Sequence, residues 1–208
     1  MDTLVIYCHP WDGGFNHAVL RALCRRLSRE GKSHEVIDLY ADGFEPALTR
    51  EELAGYGAGR ALDLLVERYQ KLVAEAEHLE IVTPIWWNDV PAMLRGFFDK
   101  VMLVGFAWEA TGSGLLGTLT HIKDVDIWTT SAEPTEHLEL ALRSSFIEGT
   151  LAQLGIGGLP VKGEGAEADA PAPQVPAATP NRRWHNFGLM DASTPERREA
   201  WLREVEGL

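Results

Sequence analysis

Residues 79–102 read Leu79-Glu80-Ile81-Val82-Thr83-Pro84-Ile85-Trp86-Trp87-Asn88-Asp89-Val90-Pro91-Ala92-Met93-Leu94-Arg95-Gly96-Phe97-Phe98-Asp99-Lys100-Val101-Met102. The first seven, Leu79–Ile85, form a mostly apolar run of strand length. Strands buried on both faces of a parallel sheet read this way. Pro91 suits the first turn of a helix. After it the apolar residues change spacing, and Leu94, Phe97, Phe98, Val101 and Met102 share one helical face. A buried strand, a turn holding two tryptophans and an amphipathic helix make half of a parallel crossover.

The same alternation extends to both sides. Thr3–Cys8 reads as a strand, and Phe15–Glu30 as a helix whose face is Phe15, Val19, Ala22, Leu23 and Leu27, stopped by Gly31. Glu35–Tyr40 is a second strand. Thr49-x-x-Glu52 is a capping box for a short helix. Leu62, Leu65, Val66, Tyr69, Leu72 and Val73 mark a longer helix ending near Glu77. Ile122–Thr130 reads as a fourth strand, interrupted by Lys123, Asp124 and Asp126. Pro134–Leu154 reads as a helix with Leu138, Leu142, Phe146 and Leu154 inward, and Gly155–Lys162 as a short fifth strand.

Residues 163–180 then hold six alanines, four prolines and no basic or aromatic residue. Such a composition predicts a flexible surface insertion without a core of its own. Trp184–Leu189 is aromatic again and is expected to dock back on the body. Thr194-Pro195 opens a last helix with Trp201, Leu202 and Val205 on its apolar side. The expected architecture is one α/β domain, a flavodoxin-like three-layer sandwich around a five-stranded parallel sheet of order 2-1-3-4-5.

The chain has 208 residues, 31 acidic against 19 basic, for a net charge of −12. That balance argues against nucleic acid, which calls for a basic face, and against anionic membrane surfaces. Two cysteines, Cys8 and Cys24, exclude a disulfide framework. The first residues lack the pattern of a signal peptide, and no run reaches the ~20 apolar residues of a membrane span. The expected location is the cytoplasm, with no membrane insertion.

In the 2-1-3-4-5 order, ligands bind where the ends of strands one and three diverge. Three segments are placed there. His9-Pro10-Trp11-Asp12-Gly13-Gly14-Phe15-Asn16 ends a strand and opens a helix, whose N-terminus suits a phosphate. Gly13 and Gly14 allow close backbone approach, and His9 and Asn16 offer side-chain donors; an ordinary βα turn reads the same. This loop holds no G-x-G-x-x-G and no P-loop lysine. In Thr83–Pro91, strand alternation predicts that one of Trp86 and Trp87 packs inward while the other offers a flat wall to a planar ligand. Two core aromatics at a crowded strand end are the alternative. Thr129-Thr130-Ser131-Ala132-Glu133-Pro134-Thr135 is small and polar before a helix. Its N–H groups could stabilise negative charge, or simply form a capping turn.

Four pieces carry a family resemblance: Tyr7-Cys8-His9-Pro10 with Phe15-Asn16; Asp38 to Pro46; Pro84-Ile85-Trp86-Trp87 running to Val101; and Gly105-Phe106-Ala107-Trp108. They resemble the flavodoxin-like NAD(P)H:quinone oxidoreductases, including the bacterial quinone-reductase and potassium-efflux ancillary branches. The resemblance covers residues 4 to about 130. It implies FAD, with FMN as the alternative, and NAD(P)H as donor. Hydride would pass through bound flavin to a quinone or similar flat acceptor in ping-pong order, in a homodimer. It assigns His9, Phe15 and Asn16, with Gly14, to the flavin phosphate or pyrophosphate. Pro84, Ile85, Trp86, Trp87 and Asn88 would flank the ring system, and Thr129, Thr130, Ser131 and Ala132 its pyrimidine edge. By ungapped count from Thr129, His137 falls where some members carry a tyrosine that assists hydride transfer. The chain departs from the pattern at Gly14, where the family often has Ser, and at Ser131-Ala132, where it usually has a Gly pair. Other implied roles are a flavin-bound regulatory partner of a transporter, or a reductase of azo compounds, nitro compounds or a biosynthetic intermediate.

Overall fold

The computed structural model describes residues 1–112, 114–158 and 179–207. In chain order the elements are β1 (Thr3–Tyr7), α1 (Phe15–Arg29), β2 (His34–Asp38), α2 (Arg50–Tyr56), α3 (Leu64–Glu75), β3 (His78–Pro84) and α4 (Ala92–Val101). They continue with β4 (Trp108–Thr111), β5 (Gly114–Gly117), β6 (Asp124–Thr130), α5 (Thr135–Leu142), a π-helical segment (Arg143–Leu151), β7 (Arg182–Phe187) and α6 (Pro195–Glu206). Five strands form a parallel sheet in the order β2-β1-β3-β6-β7. Counted along the sheet strands alone, this is the expected 2-1-3-4-5. β4 and β5 form a separate antiparallel hairpin that the sequence pattern did not signal.

The fifth strand is a correction. Residues 155–158 form turns, not a strand; residues 159–178, which include the rest of that expectation and most of the 163–180 insertion, lie outside the described residues. β7 instead comes from the aromatic stretch expected only to dock. Its polar residues conceal it. Arg182 is 3% exposed and donates to Glu148 Oε2 from Nε at 3.0 Å and Nη2 at 2.6 Å. Arg183 forks onto Asp126 at 2.9 and 2.7 Å, and the His185 ring stacks on Trp128 at 4.0 Å. The predicted helix over 134–154 also divides, into α5 and the π-helical segment.

Strand alternation sends side chains to two layers. On one face Leu4, Ile6, Leu79, Ile81 and Ile127 pack against α3, α4, α5 and the π-helical segment. Rings from that layer meet in sequence: Tyr69 with Phe97 at 5.7 Å, Phe97 with Phe98 at 5.4 Å, Phe98 with Phe146 at 5.3 Å. On the other face Val5, Tyr7, Val82 and Trp128 pack against α1 and Val205 of α6. Caps read from sequence are formed. Thr49 Oγ1 accepts the Glu52 N–H at 3.1 Å while Glu52 Oε2 accepts the Thr49 N–H at 2.7 Å, and Thr194 Oγ1 accepts the Arg197 N–H.

Gly96 lets α4 approach the chain after β2. A Cβ there would sit 2.4 Å from both the Cβ and the carbonyl oxygen of Pro46. Backbone cannot yield cheaply, so Gly96→Ala is expected to cost about 3 kcal/mol. For a chain of this size Tm should fall by roughly 6–12 °C, read by calorimetry on the ligand-free protein.

A buried ionic network ties the last turn of α1 to the sheet. Glu80, 1% exposed, accepts from Arg26 Nη2 at 2.6 Å and from Trp128 Nε1 at 2.5 Å. His78 Nε2 lies 3.3 Å from both Glu80 and Asp126. Burial disfavours its charge, but hydrogen bonds to Asp126 and Glu80 outweigh that and raise its pKa from 6.5 to about 9. The folded state therefore binds this proton more tightly than the unfolded chain. The resulting stability is complete below pH 6.5 and lost as pH rises through about 9. Denaturant titrations between these pH values should show the decline, and His78→Gln should flatten it.

Candidate active site

The chain leaves β1 for β2 on one side and reaches β3 on the other, so a groove opens at the carboxyl ends of β1 and β3. The cavity there measures about 440 Å³. Its lining is His9, Trp11, Gly14, Phe15, Asn16, Pro84, Ile85, Trp86, Thr130, Ser131, Ala132, Met190 and Asp191. A second cavity of about 200 Å³ lies between Trp87, Asn88 and Ile85 on one side and Ser131, Ala132, Glu133 and Leu138 on the other. A third, of about 320 Å³, shares Gly14 with the groove and is bounded by Asp12, His17, Arg21, Arg25 and Leu202, among others.

The start of α1 forms one wall. Its N-cap, Gly14, has no side chain to cap the helix, and the first turn carries no acid. The first N–H groups of a helix have no partner within it and favour an anion. Gly14 is compelled by packing, not by φ: a Cβ would lie 2.9 Å from His9 Cε1 and 3.1 Å from the Trp11 carbonyl oxygen. A side chain at this position would have to displace the histidine ring. His9 Nδ1 is engaged with the Trp11 backbone, at 3.1 Å to its oxygen and 3.2 Å to its nitrogen, which leaves Nε2 free of that turn. Asn16, 5% exposed, donates from Nδ2 to Thr130 Oγ1 at 2.9 Å and so joins α1 to β6. Its Oδ1 is buried without a hydrogen-bond partner among the described residues. Burying such an oxygen unpaired costs about 1–3 kcal/mol.

The tryptophan turn differs from the expectation that one ring packs inward. Strand alternation stops at Pro84. Trp86 and Asp89 pair in both directions, with N–H to O distances of 2.9 and 3.2 Å. Trp87 and Asn88 between them take φ of 52° and 62°. Two consecutive left-handed residues define a tight reversal, at a cost of roughly 1–2 kcal/mol for a residue such as Trp. Both rings therefore face outward: Trp86 is 44% exposed over the groove and Trp87 fully exposed over the second cavity.

At the end of β6 the expectations divide. Thr130, Ser131 and Ala132 line the groove. Thr129 does not: its hydroxyl donates to Asn186 Oδ1 at 2.8 Å and accepts from Trp184 Nε1 at 2.8 Å, on the β7 side. The Ser131 N–H is committed to the Phe187 carbonyl at 3.1 Å, whereas Ala132 N–H has no hydrogen-bond partner among the described residues. His137 sits in the first turn of α5, 63% exposed, with Nδ1 3.3 Å from Glu133 Oε2, and lines neither cavity. Cys8, just ahead of the groove, is fully buried, and burial pushes its thiol up to about 12, so it is no thiolate nucleophile. Sequence reasoning missed three lining residues. Trp11 stood in the quoted loop, and its ring covers Gly13. Met190 and Asp191 follow β7, and mistaking that strand hid them.

A family model described as flavodoxin-like fold matches residues 1–178. The chain belongs to that flavodoxin-like family. Ribosyldihydronicotinamide dehydrogenase (quinone) of Pongo abelii is 34% identical over 133 residues, 55% of this chain and 58% of the relative. This flavodoxin-like chain spans about half the length of the curated relatives it matches. Among solved structures, an NAD(P)H:quinone oxidoreductase from Methanothermobacter marburgensis superposes with a TM-score of 0.77 at 23% identity, covering 100% of this chain and 93% of that one. An FMN-dependent NADH-azoreductase from Bacillus anthracis, solved in complex with FMN, gives 0.71 at 17%, covering 100% and 97%. These two likenesses concern the fold. No helix among the described residues is long and apolar enough to cross a membrane.

Proposed function

We propose that the groove holds a flavin and that the chain is an oxidoreductase passing hydride from NAD(P)H to a quinone or similar flat acceptor. One observation carries the reading: a buried, unpartnered Asn16 Oδ1 beside the uncapped start of α1. An anion accepts from the helix N–H groups, and an adjoining hydroxyl donates to Asn16 Oδ1. A phosphorylated polyol carries both groups, and a flavin carries them together with a planar ring. When bound, the flavin supplies the two-electron hydride chemistry.

The chain's own residues hold, wall and polarise. The Phe15 and Asn16 N–H groups offer the phosphate cradle, Gly14 leaves it open by lacking a side chain, and His9 Nε2 adds a donor. Pro84, Ile85 and Trp86 give a flat apolar wall, which also excludes water from the reacting face. Trp87 and Asn88 border the adjoining cavity, where the donor and the acceptor take turns. The Ala132 N–H is the free donor for negative charge that develops at the ring's polar edge. Thr129 acts from behind, holding Asn186. His137 could deliver a proton only to a ligand reaching past Glu133. FAD is favoured over FMN because the third cavity, entered past Gly14 and bordered by Arg21 and Arg25, has room for a nucleotide half. Fully exposed Trp87 and half-exposed Leu115, Leu116 and Leu140 offer apolar surface for a second copy to cover, so the reading includes a homodimer. The same reading places the enzyme in the cytoplasm.

The test is a visible spectrum of protein incubated with FAD or FMN and freed of excess, followed anaerobically. A retained flavin band should bleach with NADH or NADPH and return with a soluble quinone. Protein that retains neither flavin would overturn the proposal.

A further inference from the structure

Arg95, in the first turns of α4, faces three parts of the chain at once. Its Nη2 donates to the two Asp89 carboxylate oxygens at 2.7 and 2.9 Å and lies 3.0 Å from Ser145 Oγ. Its Nη1 donates to Thr150 Oγ1 at 3.0 Å. The guanidinium lies 5.2 Å from the centre of the Phe146 ring. Ser145 and Thr150 are five residues apart in the π-helical segment, whose i to i+5 winding stacks them on one side. The Thr150 hydroxyl also donates to the Ser145 carbonyl at 3.1 Å. The unusual winding thus builds a two-hydroxyl seat for one arginine.

The held residue, Asp89, is the closing position of the tryptophan turn. Its backbone pairs with Trp86, and its Oδ1 also accepts the Val90 N–H at 2.8 Å. Trp87 is fully exposed, so no packing of its ring maintains the left-handed backbone beneath it. Strained backbone persists only where its surroundings over-determine it. We propose that Arg95 is a positioning residue: seated on Ser145 and Thr150, it holds Asp89 and thereby keeps Trp87 and Asn88 in the turn that shapes the groove wall. The link to ligand binding rests on the flavin reading; the clamp on the turn does not.

Arg95→Lys keeps the charge but loses the planar fork. In ligand-free protein it should speed hydrogen exchange at the Trp86 and Asp89 amides about tenfold, with β1 amides unchanged. Asp89→Asn should act alike and serves if the first variant does not fold. Adding Asn88→Gly to Arg95→Lys should restore protection, because glycine adopts positive φ without strain and needs no clamp. FMN titration of the same proteins should show a Kd about tenfold higher for Arg95→Lys than for the parent. Unchanged exchange, equal acceleration in β1, or no rescue by Asn88→Gly overturns the clamp. A loosened turn with unchanged FMN affinity overturns its role in the site. A parent protein that binds neither FMN nor FAD defeats the flavin reading alone, and the exchange data still decide the clamp.

Discussion

Glu80→Ala is expected to destabilise the protein by about 3–5 kcal/mol, the range for breaking a buried ion pair from one side. Tm should drop by roughly 6–20 °C. The glutamate lies in the middle of the sheet's central strand and satisfies Arg26, Trp128 and His78 together. Its removal leaves the Arg26 guanidinium, 17% exposed, without its carboxylate. A cavity alone would cost less. Urea unfolding of Glu80→Leu, Arg26→Met and the double variant separates the two causes. Arg26→Met should be much less damaging in the Glu80→Leu background, because the orphaned charge is then gone. Additive losses would show that Glu80 matters only for the space it fills. Since Arg26 is in the last turn of α1, the single variants should also loosen the end of that helix remote from the groove.

Gly14→Asp is expected to weaken FMN binding about a hundredfold, equivalent to losing about 3 kcal/mol of hydrogen bonding to a charged group. Aspartate is a preferred N-cap whose carboxylate takes an N–H two or three positions on, which includes the Asn16 N–H assigned to phosphate. It also brings like charge to the place where the phosphate would sit. The cap gained should offset most of the cost of shifting the His9 ring and easing the close approach to the Trp11 carbonyl oxygen. Binding and stability therefore part company in this variant: a large rise in Kd with Tm within a few degrees. FMN bound as tightly as by the parent would move the phosphate away from α1.

The strands and helices that bury apolar side chains at a regular spacing were legible in the sequence. β1, β3, α1 and α4 needed only periodicity and their stop signals. The groove followed from strand order, and His9, Gly14, Phe15, Asn16, Pro84, Ile85, Trp86, Thr130, Ser131 and Ala132 all line it. What stayed hidden depends on partners distant in the chain. Arg182, Arg183 and His185 make β7 look like a loop until Glu148, Asp126 and Trp128 are placed against them. Asp126 reads as an interruption of its strand, yet it is the acceptor that holds β7 in register. The resemblance put Thr129 beside Thr130 at the ring's pyrimidine edge, but neighbouring strand residues face opposite ways. The outward turn of both tryptophans depended on positive φ at Trp87 and Asn88, which no propensity rule assigns to tryptophan.

The late position of β7 has a consequence for biosynthesis. Its first register pair joins Val125 to Arg182, fifty-seven residues later. As the chain leaves the ribosome, β6 waits with an open edge until residue 187 has emerged, and Met190 and Asp191 complete the groove only after that. Four strands can assemble while synthesis continues; the binding surface cannot. A nascent chain stalled before β7 should thus be compact yet unable to retain a ligand, and its bare strand edge is the part most in need of chaperone cover.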